Sequence, residues 1–227
     1  STFESNDNFL EFFKGFLIRT NNGLQSQGEG GLFYFNLKDT DSELTFYYTQ
    51  DGIKKSYSLV INGDCADFNH VDINQSMTVQ NVIDDTISGQ TEFYAQAFQS
   101  RGRIEIPGIS DIPANAVVHK ATLELPVQFH GSSSYGPGFE ISASAYVSSD
   151  FTSLPQWVNF GAYDDYNKQF TIDLRAYVQA IVSGDVGNYG LIVEPILFNT
   201  SADRIVFNGP ESTNKAKPRF SIVYTEF

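Results

Sequence analysis

Several groups of residues in this chain are of types that could do chemistry. Asp64, Asp67, Asn69 and Asp72 form one acidic cluster, and Asp164 with Asp165 forms another. Hard cations such as calcium take six to eight oxygen ligands, and loops of this composition can supply them. The spacing does not follow the EF-hand pattern, however, and Asp and Asn are ordinary turn residues, so the turn reading is preferred and no cofactor or metal is expected. Cys65, the single cysteine, is available to pair in space with His70, but a lone cysteine is usually inert. There is no Gly-x-Ser-x-Gly elbow and no His-Glu-x-x-His helix. Gly28-Glu29-Gly30-Gly31 precedes a strand pattern rather than a helix, so it offers no helix N-terminus to a phosphate. Paired carboxylates for glycoside hydrolysis are compatible with the abundant Asp and Glu, but nothing singles out a pair. No catalytic residue is expected.

Aromatic residues carry the strongest binding signal. Trp157, Phe160, Tyr163 and Tyr166 crowd the stretch Leu154–Lys168, read as a polar loop, and Tyr135 lies in the Gly/Ser-rich loop Gly131–Gly138. Flat rings beside Asp and Asn suit stacking on a sugar face and bonding its hydroxyls. Trp157, Tyr163, Tyr166 and Tyr135 are therefore the candidate ligand-binding residues. The competing reading places Trp157 at one end of the core, since large aromatics are well buried on average. The Phe-rich run Phe9–Phe16 is a second candidate surface, for docking a protein, although packing on its own sheet is preferred.

The elements that must position these residues are mostly strands. Period-two alternation predicts them at Leu32–Lys38, Leu44–Tyr48, Ser56–Ile61, Glu92–Phe98, Arg103–Ile106, Lys120–Phe129, Glu140–Val147, Gln169–Ile172, Gly190–Ile196, Arg204–Asn208 and Arg219–Thr225. Leu174, Tyr177, Val178, Ile181 and Val182 fall on one helical stripe, with Asp173 as expected N-cap and Gly184 as expected C′ residue. A shorter helix is expected at Asn8–Lys14, capped by Asn6 or Asn8 and stopped by Gly15. The fold class predicted is all-β: an antiparallel, jelly-roll-like sandwich with one packed helix at about 173–183. The weakly periodic stretch Asp64–Gly89 reads as a seam. It divides an N-terminal β unit with a short Phe-rich helix (1–89) from the sandwich (90–227), with one continuous domain as the alternative.

Composition narrows the function classes. The 227 residues carry 14 Lys+Arg against 27 Asp+Glu, a net charge of −13, which argues against nucleic acid and anionic membrane surfaces as partners. A hydrophobic content of 41% is too rich for disorder, and no run is long enough to span a bilayer. One cysteine excludes an intrachain disulfide framework. The opening Ser-Thr-Phe has neither an initiator Met nor a basic-then-apolar leader, so residue 1 reads as an artificial boundary or a processing site.

Six ordered phrases carry a resemblance that spans nearly the whole chain. They are Phe9–Ile18, Ser42–Tyr48, Phe68-Asn69-His70-Val71, Ile104-Glu105-Ile106-Pro107, Lys120–Pro126 and Lys217–Tyr224. Together they resemble a family of Bacteroidota envelope lipoproteins catalogued as domain of unknown function 4270. The resemblance implies an exported, outer-membrane or cell-surface protein, held to the membrane only through a lipid anchor that this chain lacks. It supplies no catalytic residues. From about Lys120 onward the chain also resembles carbohydrate-binding-module-like sandwiches marked by an Asp-Asn-Arg-Leu-Arg-Glu signature, which is missing here; Asn208-Gly209-Pro210-Glu211 only partly echoes its late loop. Asp85-Thr86-Ile87 looks like the sequon Bacteroidota use for O-glycosylation, which would put Thr86 on an exposed loop.

The function expected is therefore a non-enzymatic cell-surface lipoprotein domain that binds a glycan. The alternative is a structural or scaffolding subunit docking onto an outer-membrane protein. A glycoside hydrolase is the remote alternative.

Overall fold

In a computed structural model, the described residues are 5–21, 31, 33–68, 70–128, 136–146, 148–149, 156–214 and 216–227. The chain divides into two compact units, Ser1–Asp67 and Phe68–Phe227.

The first unit begins with helix α1 (Asn6–Phe12), whose N-cap is Ser5. The Ser5 hydroxyl accepts the Asn8 N–H at 3.2 Å, so the helix starts two residues before the expected Asn8. Strands β1 (Glu43–Gln50) and β2 (Ile53–Val60) then form an antiparallel hairpin. Its connection is Asp51-Gly52, both at positive φ (52° and 77°), the backbone that a two-residue turn needs to match strand twist. The expected strand at Leu32–Lys38 is not formed. Its described residues are irregular and lead into a turn in which Asn36 O accepts the Asp39 N–H. Among the described residues of this unit none is fully buried.

The second unit is all-β and sandwich-like. It opens with helices α2 (Met77–Asp84) and α3 (Thr86–Gly89), which lie within the weakly periodic stretch read as a seam, where no helix was expected. Ser76 caps α2, and the Asp85 carboxylate caps α3 by accepting the N–H groups of Ile87 and Ser88. Strand β3 (Glu92–Gln96) pairs with β10 (Arg204–Asn208) in a two-stranded sheet. The larger sheet has seven antiparallel strands. They are β4 (Gly102–Ile104), β5 (Val117–Pro126), β6 (Glu140–Ala145), β7 (Gln156–Asp164), β8 (Gln169–Asp173), β9 (Leu191–Pro195) and β11 (Arg219–Thr225). Their spatial order is β11-β5-β8-β7-β6-β9-β4, so β7 is the central strand.

The core lies between the inner face of this sheet and the two-stranded sheet. Leu123, Leu125, Ile141, Ala143, Phe170, Ile172, Leu191 and Val193 meet Ala95, Ile205 and Phe207, all essentially inaccessible to solvent. Packing is tight enough to require glycine at two strand positions. A Cβ on Gly161 would stand 2.6 Å from Ile172, and one on Gly102 would stand 2.8 Å from both Phe93 and Val193.

Helix α4 (Arg175–Val182) closes the sandwich by burying Tyr177, Val178, Ala180 and Val182. Its N-cap is Leu174 rather than the expected Asp173, although the Asp173 carboxylate still accepts the Arg175 N–H at 2.9 Å. Gly184 is the C′ residue as expected, at φ +78°. Its N–H reaches Ile181 O while the Asp185 N–H reaches Ala180 O, the paired bonds that end a helix on a left-handed residue. Gln179 stitches the helix to β5, accepting the Val118 N–H and donating to Ala116 O.

Candidate functional site

The stretch read as an aromatic loop is instead strand β7, and this decides where each ring points. Gly161 pairs with Ile141 and Ile172 on the inner face, so Asn159 and Tyr163 share that face while Phe160 and Ala162 look outward. Tyr163 accordingly packs on the core, its ring 5.2 Å from that of Phe170. Its hydroxyl is buried with no partner among the described residues, and burial raises its pKa. Tyr163 is a core residue.

Tyr166 sits in the four-residue turn after β7 and is 93% exposed. The Asp164 carboxylate builds that turn by accepting the N–H groups of Tyr166 and Asn167 and the Asn167 side-chain amide at 2.6 Å. Those bonds, the Asn167 amide foremost, hold the Asp164 pKa below its usual value. Seven residues of strand at about 3.3 Å each place Trp157 and Tyr166 roughly 20 Å apart, too far to share one sugar ring. Tyr135 lies outside the described residues.

Register sets Trp157 and Phe160 on the outward side of β7. Between the pairs Ala143↔Asn159 and Ala145↔Gln156, β6 contributes only Ser144 while β7 contributes Trp157 and Val158. This is a β-bulge, two residues against one. Trp157 is its left-handed residue, at φ +55°, where glycine is the usual occupant. Val158 (53%), Phe160 (54%) and Trp157 (38%) are all solvent-accessible, on the middle strand of the sheet. Trp157 therefore does not plug the core.

Register also shows what these rings face. Phe160 pairs with Ser142, and Ser142 pairs on its other side with Glu194 of β9. One step along, Ser144 lies between the Trp157–Val158 bulge and Ile192. Two serines at successive outward positions of β6 thus form the floor of a trough. Ser142 is only 8% exposed, although the Phe160 ring beside it is half in solvent. On the β9 side Arg101 pairs with Glu194, and its guanidinium lies 3.9 Å over the Phe198 ring. Arg103 pairs with Glu105 at 2.7 Å. Sequence reasoning missed Phe160 as a principal residue and Ser142 and Ser144 altogether. The available signal was the period-two serines in Glu140–Ala145, outward positions that are small as well as polar.

The remaining candidates are placed as follows. Thr86 is exposed, but as the first residue of α3 rather than on a loop. His70 and Asp72 pair at 3.0 Å, both largely in solvent, and Asn69 lies outside the described residues. Cys65 is exposed, its thiol 3.6 Å from Asn62 Oδ1. Among the described residues no group of three or more His, Cys, Asp or Glu side chains is arranged to hold a metal ion, and no helix is long and apolar enough to cross a membrane.

The Phe-rich run is not the intramolecular core that was expected. Phe12 and Phe16 are each 70% exposed, and Leu17 and Ile18 are exposed beside them, while Phe13 touches Phe9 and Phe16 at ring separations of 5.6 and 5.2 Å. Set against known proteins, the chain matches no protein family, no curated protein and no solved structure.

Proposed function

We propose that the chain is a non-enzymatic glycan-binding part of an exported, lipid-anchored envelope protein, and that the sandwich holds the sugar on its outer face at Trp157 and Phe160. One observation carries the reading: the central strand of a seven-stranded sheet turns Trp157, Val158 and Phe160 to solvent beside two serines. The solvent face of an antiparallel sheet is ordinarily polar. An apolar wall with hydroxyls at its foot suits a sugar, which has an apolar face and a polar edge. The envelope address rests on the six phrases that resemble Bacteroidota lipoproteins, which also leave room for modification at Thr86.

Cleavage would need two free carboxylates facing across the sugar. Glu140 stands at one end of the trough, two residues from Ser142 on β6 itself, and Glu194 borders it from β9, but Glu194 is engaged by Arg101. Binding without hydrolysis is therefore the better reading. Affinity electrophoresis through glycan-loaded gels tests it, with Trp157→Ala expected to lose retardation. Unchanged retardation of that variant, or release of reducing sugar by the wild type, would sink the idea.

The scaffolding reading keeps a specific observation of its own. In the β1–β2 hairpin, Leu44, Phe46 and Tyr48 share a face with Leu59, Tyr57 and Ile53, where Phe46, Tyr48, Tyr57 and Ile53 are exposed and Lys55 and Gln50 form a polar edge at the turn end. A two-stranded hairpin with an open apolar face is marginal in water, which favours a protein partner there. Co-purification from the envelope with wild type and with a Phe46→Ser/Tyr57→Ser variant separates the readings: a partner lost only from the variant supports docking.

A further inference from the structure

The trough along β6 differs from a generic apolar patch in how its charges are disposed. Its wall on the β7 side, Trp157, Val158 and Phe160, carries no charge, and its floor, Ser142 and Ser144, carries none either. The cations on the far side are already committed. Arg101 is ion-paired to Glu194 and stacked on Phe198, and Arg103 is ion-paired to Glu105. Glu140, next in the outward row of β6 itself, would repel an anionic ligand, whereas Glu194 is neutralised by Arg101, and the chain as a whole carries −13. A site for an acidic polymer needs uncommitted guanidinium or ammonium groups, because these pair with carboxylate or sulfate in bidentate or close contacts.

The direction of the trough is also fixed by register. Its floor residues are two apart on one strand, Ser142 and Ser144, about 6.8 Å at the usual strand rise. Each has an apolar neighbour on β7: Phe160 beside Ser142, and the Trp157–Val158 bulge beside Ser144. The bulge is what brings a second ring into line, since a regular strand would present one residue, not two, against Ser144.

Building on the glycan-binding reading above, we infer that the trough takes a linear, uncharged polysaccharide lying along β6, with successive sugar rings resting on Phe160 and Trp157 and their hydroxyls bonded to Ser142 and Ser144. Specificity for uncharged chains follows from the repulsion and the pre-paired cations rather than from a dedicated recognition group. The ligand runs parallel to the strands and does not cross the sheet.

Affinity electrophoresis of the full chain through gels containing laminarin, xyloglucan or galactomannan, and in parallel alginate or polygalacturonate, tests this. Retardation by at least one of the three neutral polymers and by neither acidic one is expected. Phe160→Ala, which removes the wall, and Ser142→Leu, which fills the floor, should each weaken that retardation at least tenfold while the urea unfolding midpoint confirms a folded sandwich. Equal or stronger retardation by alginate or polygalacturonate would overturn the charge inference and leave glycan binding standing. Neutral retardation untouched in both folded variants would place the sugar elsewhere and overturn the trough. No retardation by any of the five polymers would count against this inference and the glycan reading together.

Discussion

The left-handed backbone of Trp157 permits a test in which the usual order of two substitutions is reversed. In a regular strand, alanine is more stable than glycine by about 0.5–1 kcal/mol, because glycine loses more backbone freedom on folding. At φ +55° a residue with a Cβ instead carries a penalty of about 1–2 kcal/mol that glycine escapes. Trp157→Ala and Trp157→Gly both delete the indole, so whatever the ring contributes by packing cancels between them. What remains is the backbone difference, with Trp157→Gly more stable by about 1 kcal/mol on balance. For a protein of this size that is a separation of roughly 2–4 °C in Tm, readable by calorimetry, and a matching shift in urea midpoint with unchanged slope. The same pair should lose sugar binding equally, because both lack the ring. If Trp157→Ala melts at or above Trp157→Gly, the bulge residue is not left-handed in solution, and the placement of the indole beside Ser144 falls with it.

Three further outcomes follow from the packing and the buried phenols. Gly161→Ala should destabilise the sandwich by about 1–3 kcal/mol, because its Cβ would stand 2.6 Å from Ile172; a chemical melt within 0.5 kcal/mol of wild type would show that the two strands can part there. Tyr177→Phe should leave stability unchanged or raise it by about 1 kcal/mol, since the Tyr177 hydroxyl is buried without a partner among the described residues; a clear loss in the same melt would reveal a partner. Burial, together with the Glu92 carboxylate 2.5 Å away, pushes the Tyr94 phenol up to about 12. A raised pKa favours the protonated form in the folded state, so its contribution is intact below pH 10 and lost as pH climbs from 10 to 12. Tyr94→Phe should therefore flatten part of the alkaline fall in urea midpoint between pH 9 and 11.5, and a fall as steep as that of wild type would contradict the assignment.

The readable parts of the sequence were those where one rule acted alone. Helix α4 announced itself through Leu174, Tyr177, Val178, Ile181 and Val182, and Gly184 ended it at the expected residue, because a positive φ at C′ leaves glycine as the easy solution. Strands β1 to β6 and β8 to β11 alternate cleanly enough to be found within a few residues. Strand β7 was illegible because the bulge interrupts its alternation: Trp157 and Val158 are adjacent yet oppose the same residue, and Asn159 and Gly161 read as turn residues. Its loss concealed the proposed site, since inward Tyr163 and outward Phe160 differ only by parity along a strand that had not been recognised. Helix α2 was missed for another reason. Its apolar positions, Met77, Val79, Val82 and Ile83, are diluted by Thr, Asn and Asp, weak helix formers, and its hold comes from the Ser76 cap and from packing on β3. The N-terminal run misled in the opposite direction. Phe-rich sequence suggests core, but nothing in residues 9–18 is fully buried.

Trp157 is the single tryptophan in the chain, so its emission reports on the proposed site with no background from another indole. Titration of the full chain with laminarin, xyloglucan and galactomannan, followed by tryptophan fluorescence, is therefore the most direct measurement. The account predicts a saturable blue shift with at least one of the three, as the partly exposed ring is covered, and its disappearance in Phe160→Ala. Emission unchanged by all three polymers, or a shift that Phe160→Ala retains in full, would contradict it.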